Sequence, residues 1–297
     1  MNAKNTNLHK AKKEANDEFY TQYDDIAKEI EHYKEHLKGK VVYCNCDIPH
    51  FSNFHKYFLD NFKELELKKL IVTGYVKNGN GKCSIYDGEK STDYDLLGDG
   101  DFRGDECIDM LQKADVIITN PPFSLFREFI KVVVDNRKDF IVVGNKNAIT
   151  YKDVFPLIKD NRTFIGATEP NNFITPSGNT KLINGLSRWF TSFNIRENTY
   201  LELSKEYSES AYPKYDNYDA INVNKTKDIP KDYDGIMGVP ITFLDKYNPK
   251  QFEIIGCSYD YGRPIGWNKN INMSVSVNGE NVYKRLLIKR KGWVKWI

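Results

Sequence analysis

The chain has 297 residues, 28% of them charged and 40% hydrophobic, enough for one sizeable core and an appended smaller domain. It contains no apolar run of about 18 residues, and residues 1–13 are polar and lysine-rich without an apolar core. Neither a membrane span nor a secretory leader is expected, and a soluble, cytoplasmic protein without a membrane partner is expected instead.

Five cysteines, Cys44, Cys46, Cys83, Cys107 and Cys257, are an odd number in a chain with no export signal, which predicts reduced thiols. Cys44 and Cys46 alternate within an apolar run and lack a second pair at ligand spacing, so they are expected to be buried, and no metal site is predicted.

In chain order, residues 24–37 carry helical spacing through Ile26, Ile30, Tyr33 and Leu37 and lead to Gly39. Short apolar runs then follow at 41–46, 69–76, 115–120 and 139–145, with helical stretches at 51–65 and 124–134 between some of them. Buried strands alternating with helices predict an α/β, doubly wound, Rossmann-like sheet that is mostly parallel. Residues 77–105 hold six glycines and many aspartates; this turn chemistry predicts a binding loop, an edge hairpin, or both.

After Phe164 the alternation fades, and short strands at 186–193, 239–244, 252–258 and 282–289 predict a β-rich region. A boundary is placed near 194–198, giving domains 1–197 and 198–297. The net charge is only +2 for the whole chain, yet residues 261–297 hold eight Lys or Arg against Glu280 alone, a local +7. Such a stretch, with aromatic neighbours, suits a phosphate backbone or a solvated tail.

The most informative tetrapeptide is Asn120-Pro121-Pro122-Phe123, directly after an apolar strand. In an open α/β sheet the carboxyl ends of strands face the ligand crevice. Two prolines fix φ and remove two N–H donors, leaving a rigid, acceptor-rich turn. The Asn120 side-chain oxygen and the Pro121 carbonyl can accept both N–H bonds of an exocyclic amine, drawing its nitrogen toward tetrahedral geometry and freeing the lone pair for in-line attack on a sulfonium methyl. Phe123 can stack on a base turned out of a duplex, a contact worth about 1–3 kcal/mol. Orientation and proximity then supply most of the barrier reduction without a metal or a strong base.

At this point the sequence resembles the amino-methyltransferases of DNA, and within them the EcoRI-type adenine-specific enzymes. The resemblance rests on Asn16-Asp17-Glu18-Phe19-Tyr20-Thr21, Tyr43-Cys44-Asn45-Cys46-Asp47, Gly98-Asp99-Gly100-Asp101-Phe102-Arg103, Asn120-Pro121-Pro122-Phe123-Ser124, Gly144-Asn145-Lys146-Asn147-Ala148 and Gly238-Val239-Pro240-Ile241-Thr242-Phe243-Leu244, in family order over nearly the whole chain. It implies an S-adenosylmethionine-dependent transfer of methyl to adenine N6 in double-stranded DNA. It implies a restriction–modification pair with a cognate endonuclease, or a solitary or phage-borne system; a monomer is expected. Cytosine N4, an RNA base or a protein glutamine would satisfy the same acceptor geometry, and a non-catalytic DNA-binding protein on this fold is the alternative from another class.

Carried over by position, the resemblance makes residues 16–21, with Phe19, Tyr20 and Thr21, the segment closing over the cofactor. Asn45 and Asp47 lie in the first cofactor loop, and Ser52 or Asn53 at a helix N-terminus is expected to receive a carboxylate. Asp101 and Phe102 resemble the pair that bonds and stacks the cofactor's adenine, with Asp99 as an alternative acceptor. Two features depart from common methyltransferases: Ile48-Pro49-His50-Phe51 replaces a glycine-rich loop, and Thr73-Gly74-Tyr75 stands where an acid usually binds ribose. Lys146, Arg188, Arg263, Lys284 and Arg285 are candidate DNA contacts, although Arg188 equally suits a solvated face. Trp189 is a candidate wall of the base pocket or a core residue, and residues 259–270 suit base readout. His50 suits either a carboxylate partner or an ordinary loop.

Overall fold

Strands that are apolar on both faces need a layer of helices on each side, and the central runs of this chain meet that requirement. The computed structural model describes residues 20–170, 172–174, 180–182, 185–259, 261–268 and 275–292. Phe19, the rest of the expected closing segment before it, and the side chain of Tyr20 lie outside the described residues.

The chain divides into two units. The first comprises residues up to Asp153 with Ile165–Phe193, and the second comprises Val154–Phe164 with Asn194–Ile297. The expected single cut after residue 197 differs from this in one respect: the chain visits the second unit early, through 154–164, before completing the first. The helix at Phe155–Lys159 packs on a strand nearly a hundred residues later, a pairing that no local pattern announces.

The first unit carries β1 (Tyr20–Thr21), α1 (Tyr23–Ile30), β2 (Val41–Cys44), α2 (Asn53–Asp60), β3 (Lys69–Gly74), β4 (Lys82–Tyr86), β5 (Ser91–Asp95), α3 (Asp105–Lys113), β6 (Val116–Thr119), α4 (Phe126–Asp135) and β7 (Asp139–Asn145). After the excursion come β8 (Phe164–Ile165), β9 (Asn172–Ile174), β10 (Thr180–Leu182) and β11 (Ser187–Thr191). Eight strands form one sheet in the order β5-β4-β3-β2-β6-β7-β11-β8. Its centre, β3, β2, β6 and β7, is parallel, whereas β4 runs antiparallel to β3, β5 to β4 and β11 to β7. β1 pairs with β9, and β9 with β10, in a separate sheet.

Every residue of β2 and β6 is buried, as the apolar runs require. Residues 77–105 build the β4–β5 hairpin on the sheet edge as well as a loop. α3 has no counterpart in the sequence reading; it starts after Gly104 with Asp105 and Glu106 in its first turn, a charge placement that favours helix N-termini. The helix expected over 24–37 is interrupted, because α1 stops at Ile30, a 3-10 turn spans Glu31–Tyr33, and Lys34–Leu37 forms a separate helical turn. Its apolar stripe nonetheless holds, with Ile26, Ile30, Tyr33 and Leu37 all fully buried.

The second unit holds β12 (Ile221–Asn222), β13 (Ile236–Pro240), β14 (Phe252–Cys257), the hairpin β15 (Ser276–Val277) and β16 (Glu280–Asn281), and β17 (Arg285–Arg290). Its main sheet has the order β12-β13-β17-β14. The strand expected over 239–244 ends at Pro240 and continues as a 3-10 turn over Ile241–Lys246, because proline cannot donate to a ladder. Tyr215, Ala220, Trp267, Val275 and Leu287 form a core cluster here. Cys44, Cys83, Cys107 and Cys257 are buried free thiols, and Cys46 is half-buried. Among the described residues no helix is long and apolar enough to cross a membrane.

Glu29 on α1 is fully buried. Its carboxyl accepts from the Ala167 N–H at 2.9 Å, the Thr168 N–H at 2.7 Å, the Thr168 hydroxyl at 2.7 Å and the Tyr33 hydroxyl at 2.7 Å. Gly166 beside it has no room for a Cβ against Glu29 Oε1 and Trp189. Glu29→Ala strands these donors and should lower unfolding free energy by on the order of 3 kcal/mol, read as a reduced urea midpoint with unchanged slope.

Candidate active site

A crevice in an open α/β sheet opens where neighbouring strands send their chains in opposite directions. β2 is that point: the chain leaves it toward β3 on one side and returns through β6 on the other. The loops at the carboxyl ends of β2 and β6 therefore share one edge of the sheet. They carry Asn45 to Ser52 and Asn120 to Phe123.

Asp47, in the loop after β2, is buried. The Ser52 hydroxyl donates to its Oδ1 and the Thr119 hydroxyl to its Oδ2, each at 2.5 Å. Each hydroxyl in turn accepts an amide N–H, Ser52 Oγ from Phe54 at 3.0 Å and Thr119 Oγ1 from Cys46 at 3.2 Å. The Asp47 amide itself donates to the Thr73 carbonyl at 2.9 Å. Burial pushes the Asp47 carboxyl up to about 6, and the two hydroxyls oppose that shift. No basic side chain bonds to it among the described residues. Asn45 is buried in the same turn.

The Asn120-Pro121-Pro122-Phe123 turn begins one residue past β6. Pro122 is extended, with φ −53° and ψ 126°, and Phe123–Leu125 makes a 3-10 turn that feeds α4. The Leu125 N–H closes this turn on the Pro122 carbonyl at 3.0 Å, and among the described residues no backbone N–H is bonded to the Pro121 carbonyl. Asn120, Pro122 and Phe123 are half-buried, and Pro121 is buried. A stiff turn with an amide side chain and an aromatic ring thus stands beside the Asp47 loop.

The loop with Asp99 and Asp101 is brought to the end of β3 by backbone contact. The Val76 N–H donates to the Asp99 carbonyl at 2.8 Å. Gly100 takes φ +84°, and a side chain there would strike the Gly74 carbonyl. A Cβ on Gly74 would lie 2.6 Å from the Ile48 Cα, so no side chain fits at that position. Asp101 differs from the expectation of a waiting acceptor, because Arg103 grips it through Nε at 2.9 Å and Nη2 at 2.6 Å and holds its carboxyl below the usual range. Phe102 is likewise buried, edge-on to Phe129 with centroids 5.2 Å apart and with the Arg103 guanidinium 5.3 Å from its ring centroid. Asp99 is exposed, and its side chain accepts from the Asp101 N–H at 3.0 Å.

Ser52 caps α2 with its own oxygen, which already engages the Phe54 and His55 amides. Where Ser52 or Asn53 is expected to receive a carboxylate at this N-terminus, the Phe54 and His55 amides are therefore already taken by Ser52. Asn53 instead donates to the Thr21 carbonyl at 2.9 Å, tying β1 to the start of α2. Thr21 Oγ1 is buried with no partner among the described residues. A buried lone hydroxyl and a buried carboxyl without a basic partner are the groups expected where a polar, cationic ligand binds, so the residues present fit the expected cofactor. His50, at φ 63°, bonds a carboxylate of the chain itself, with Nε2 3.0 Å from Asp93 Oδ2.

Of the expected DNA contacts, Lys146 is half-buried directly after β7. Arg188 is a correction: it is buried, with Nη2 2.6 Å from Glu169 and Nη1 donating to the Ser187 carbonyl at 2.9 Å, so it lies neither on phosphate nor on a solvated face. Trp189 is fully buried against Phe54, with centroids 6.1 Å apart, the core alternative of the two considered. In the second unit, Lys284 is exposed with its ammonium 5.0 Å from the Tyr259 ring centroid. Arg263 is half-buried, 5.6 Å from the Trp267 ring centroid. Arg285 is a further correction: it is buried and donates to the Tyr283 carbonyl at 2.8 Å and to the side-chain oxygens of Asn222 and Asn224. Thr73 and Thr119 were not foreseen, since a threonine in an apolar run reads as an ordinary β-branched strand residue.

A carboxyl whose folded pKa lies above its unfolded value contributes stability that is present below about pH 4 and lost as pH rises through about 6. The stability difference between Asp47→Asn and the parent chain should therefore move in the variant's favour by on the order of 3 kcal/mol between pH 4 and 6.5, then stay flat. Urea titrations of both proteins across that range would reveal a pH-independent difference if the carboxyl were solvated.

The chain matches the family described as "Adenine-specific methyltransferase EcoRI" over residues 7–96 and 76–291. It is 45% identical to the Type II methyltransferase M.EcoRI of Escherichia coli, over 98% of each chain. It is 37% identical to M.MgeORF184P of Mycoplasma genitalium and 37% identical to M.MpnI of Mycoplasma pneumoniae, both Type II methyltransferases, with 96% of this chain and 98% of each relative covered. No solved structure matches the chain. With this likeness along its whole length, the chain belongs to the EcoRI family of adenine-specific methyltransferases.

Proposed function

We propose that the protein transfers a methyl group from S-adenosylmethionine to N6 of adenine at a specific site in double-stranded DNA. The carrying observation is the Asn120-Pro121-Pro122-Phe123 turn at the carboxyl end of β6, beside the buried Asp47 loop of β2. When bound, the cofactor supplies a methyl group on a cationic sulfur. Thr21, Asn45, Asp47 and Asp99 are the residues that would hold it, with Asp101 and Phe102 shaping the neighbouring wall.

The chain's own residues perform the rest. The Asn120 side-chain oxygen and the Pro121 carbonyl accept the two amine N–H bonds, so the nitrogen lone pair is turned away from the ring and toward the methyl. Pro121 and Pro122 hold those acceptors still, so little reorganisation is needed at the moment of transfer. Phe123 stacks on the displaced adenine. Lys146, Lys284 and Arg263 are the cations available to phosphate, and the loops of residues 198–297 read the recognition sequence. A cognate endonuclease cutting the same site is the partner that such a modification enzyme protects against.

Incubating the protein with methyl-labelled S-adenosylmethionine and a mixed-sequence duplex pool should yield labelled N6-methyladenine at one motif. Label on cytosine, on RNA or on protein would redirect the assignment, and no transfer at all would favour a binding protein. Asn120→Ala should lower the transfer rate by about a hundredfold or more while cofactor affinity stays within about tenfold. Phe123→Ala should weaken the hold on the flipped base, seen as a reduced fluorescence rise from 2-aminopurine at the target position; an unaltered signal would remove the stacking role.

A further inference from the structure

The backbone ladder between β2 and β6 is short. It pairs Val42 with Val116 and Tyr43 with Ile117, and then stops. On its other edge β6 stays paired to β7 through Thr119 opposite Val142. The last residues of β6 are therefore held on one side only by backbone. On the side facing the β2 loop the tie is the Thr119 hydroxyl, which accepts the Cys46 N–H at 3.2 Å and donates to Asp47 Oδ2 at 2.5 Å.

The polarity of this tie runs one way. An amide N–H enters the Thr119 oxygen, and the single hydroxyl proton leaves toward the carboxyl. The same sequence runs from the Phe54 N–H through Ser52 to Asp47 Oδ1 at 2.5 Å. Asp47 thus receives two hydroxyl protons from two different elements, the start of α2 and the end of β6, and Asn120 is one peptide bond beyond the second. Thr119 is fully buried, so water cannot replace this bond cheaply.

We infer that Thr119 is a positioning residue for the methyl transfer, its hydroxyl fixing the Asn120 turn to the Asp47 loop so that the amine-gripping acceptors are held in register with the cofactor side of the crevice. The inference rests on the proposed role of Asn120 and adds the element that aims it. Valine replaces the hydroxyl by a methyl of nearly equal size and cuts the tie, whereas serine keeps the hydroxyl and loses packing. A misplacement of about 1 Å in a near-attack geometry costs on the order of a hundredfold in rate.

The test compares Thr119→Val, Thr119→Ser and the parent chain in three measurements: the single-turnover methyl-transfer rate on a duplex containing the target site, the calorimetric affinity for S-adenosylmethionine, and the urea midpoint. Thr119→Val should transfer about 10- to 100-fold more slowly with cofactor affinity within about threefold, and Thr119→Ser should recover most of the rate although its midpoint also falls. A merely structural threonine would make rate follow stability, so a serine variant as slow as the valine variant overturns the inference, as does a valine variant at parental rate. A parent chain that moves no methyl to any duplex would overturn the reading of the reaction itself, and the positioning role with it.

Discussion

The site depends on two adjacent parallel strands, β2 and β6, whose continuations leave the sheet in opposite directions. Their side chains are buried on both faces, so neither strand can shift register without exposing Val42, Tyr43, Ile117 or Ile118. That constraint places the loop with Asp47 next to the turn with Asn120, although 73 positions separate them in the chain. The buried carboxyl between them gathers the two hydroxyls that lock the arrangement. Its raised affinity for a proton is the cost of keeping an acid there without a basic partner.

The loops after β2 and β3 meet by backbone contact at unusual positions. In place of a glycine-rich loop after β2, the chain uses Ile48-Pro49-His50-Phe51, and the close approach is shifted to Gly74 and Gly100 across the crevice. The Ile48 backbone fills the space that a side chain at Gly74 would need. The Asp101–Arg103 grip is the complementary feature, since it orders the loop through the guanidinium and leaves Asp99 as the more accessible carboxyl.

Cations divide by depth. Arg188 and Arg285 are interior residues whose guanidinium groups satisfy carbonyls, amide oxygens or a carboxylate, a use that suits their planar set of donors. Lys284 and Arg263, each over an aromatic ring, keep their charge nearer the surface. The count of basic residues over 261–297 treated Arg263, Lys284 and Arg285 alike, because charge is a property of composition and depth is not.

How much of this was legible depended on range. The strands β2, β3, β6 and β7, the helices α2 and α4, and the turn after β6 follow from local patterns: apolar runs of strand length, helical spacing, and two prolines that stop a strand. The same stretch of chain therefore placed the Asn120-Pro121-Pro122-Phe123 turn at the end of a buried strand before any coordinates. Only the tertiary structure decided that Thr119 and Ser52 both donate to Asp47, that residues 154–164 belong with the second unit, that Ser52 closes its own helix, and that Arg188, Trp189 and Arg285 lie inside. Each of these depends on which distant segment arrives beside a residue, and that is set by strand order and shared burial, quantities that no window of neighbouring residues contains.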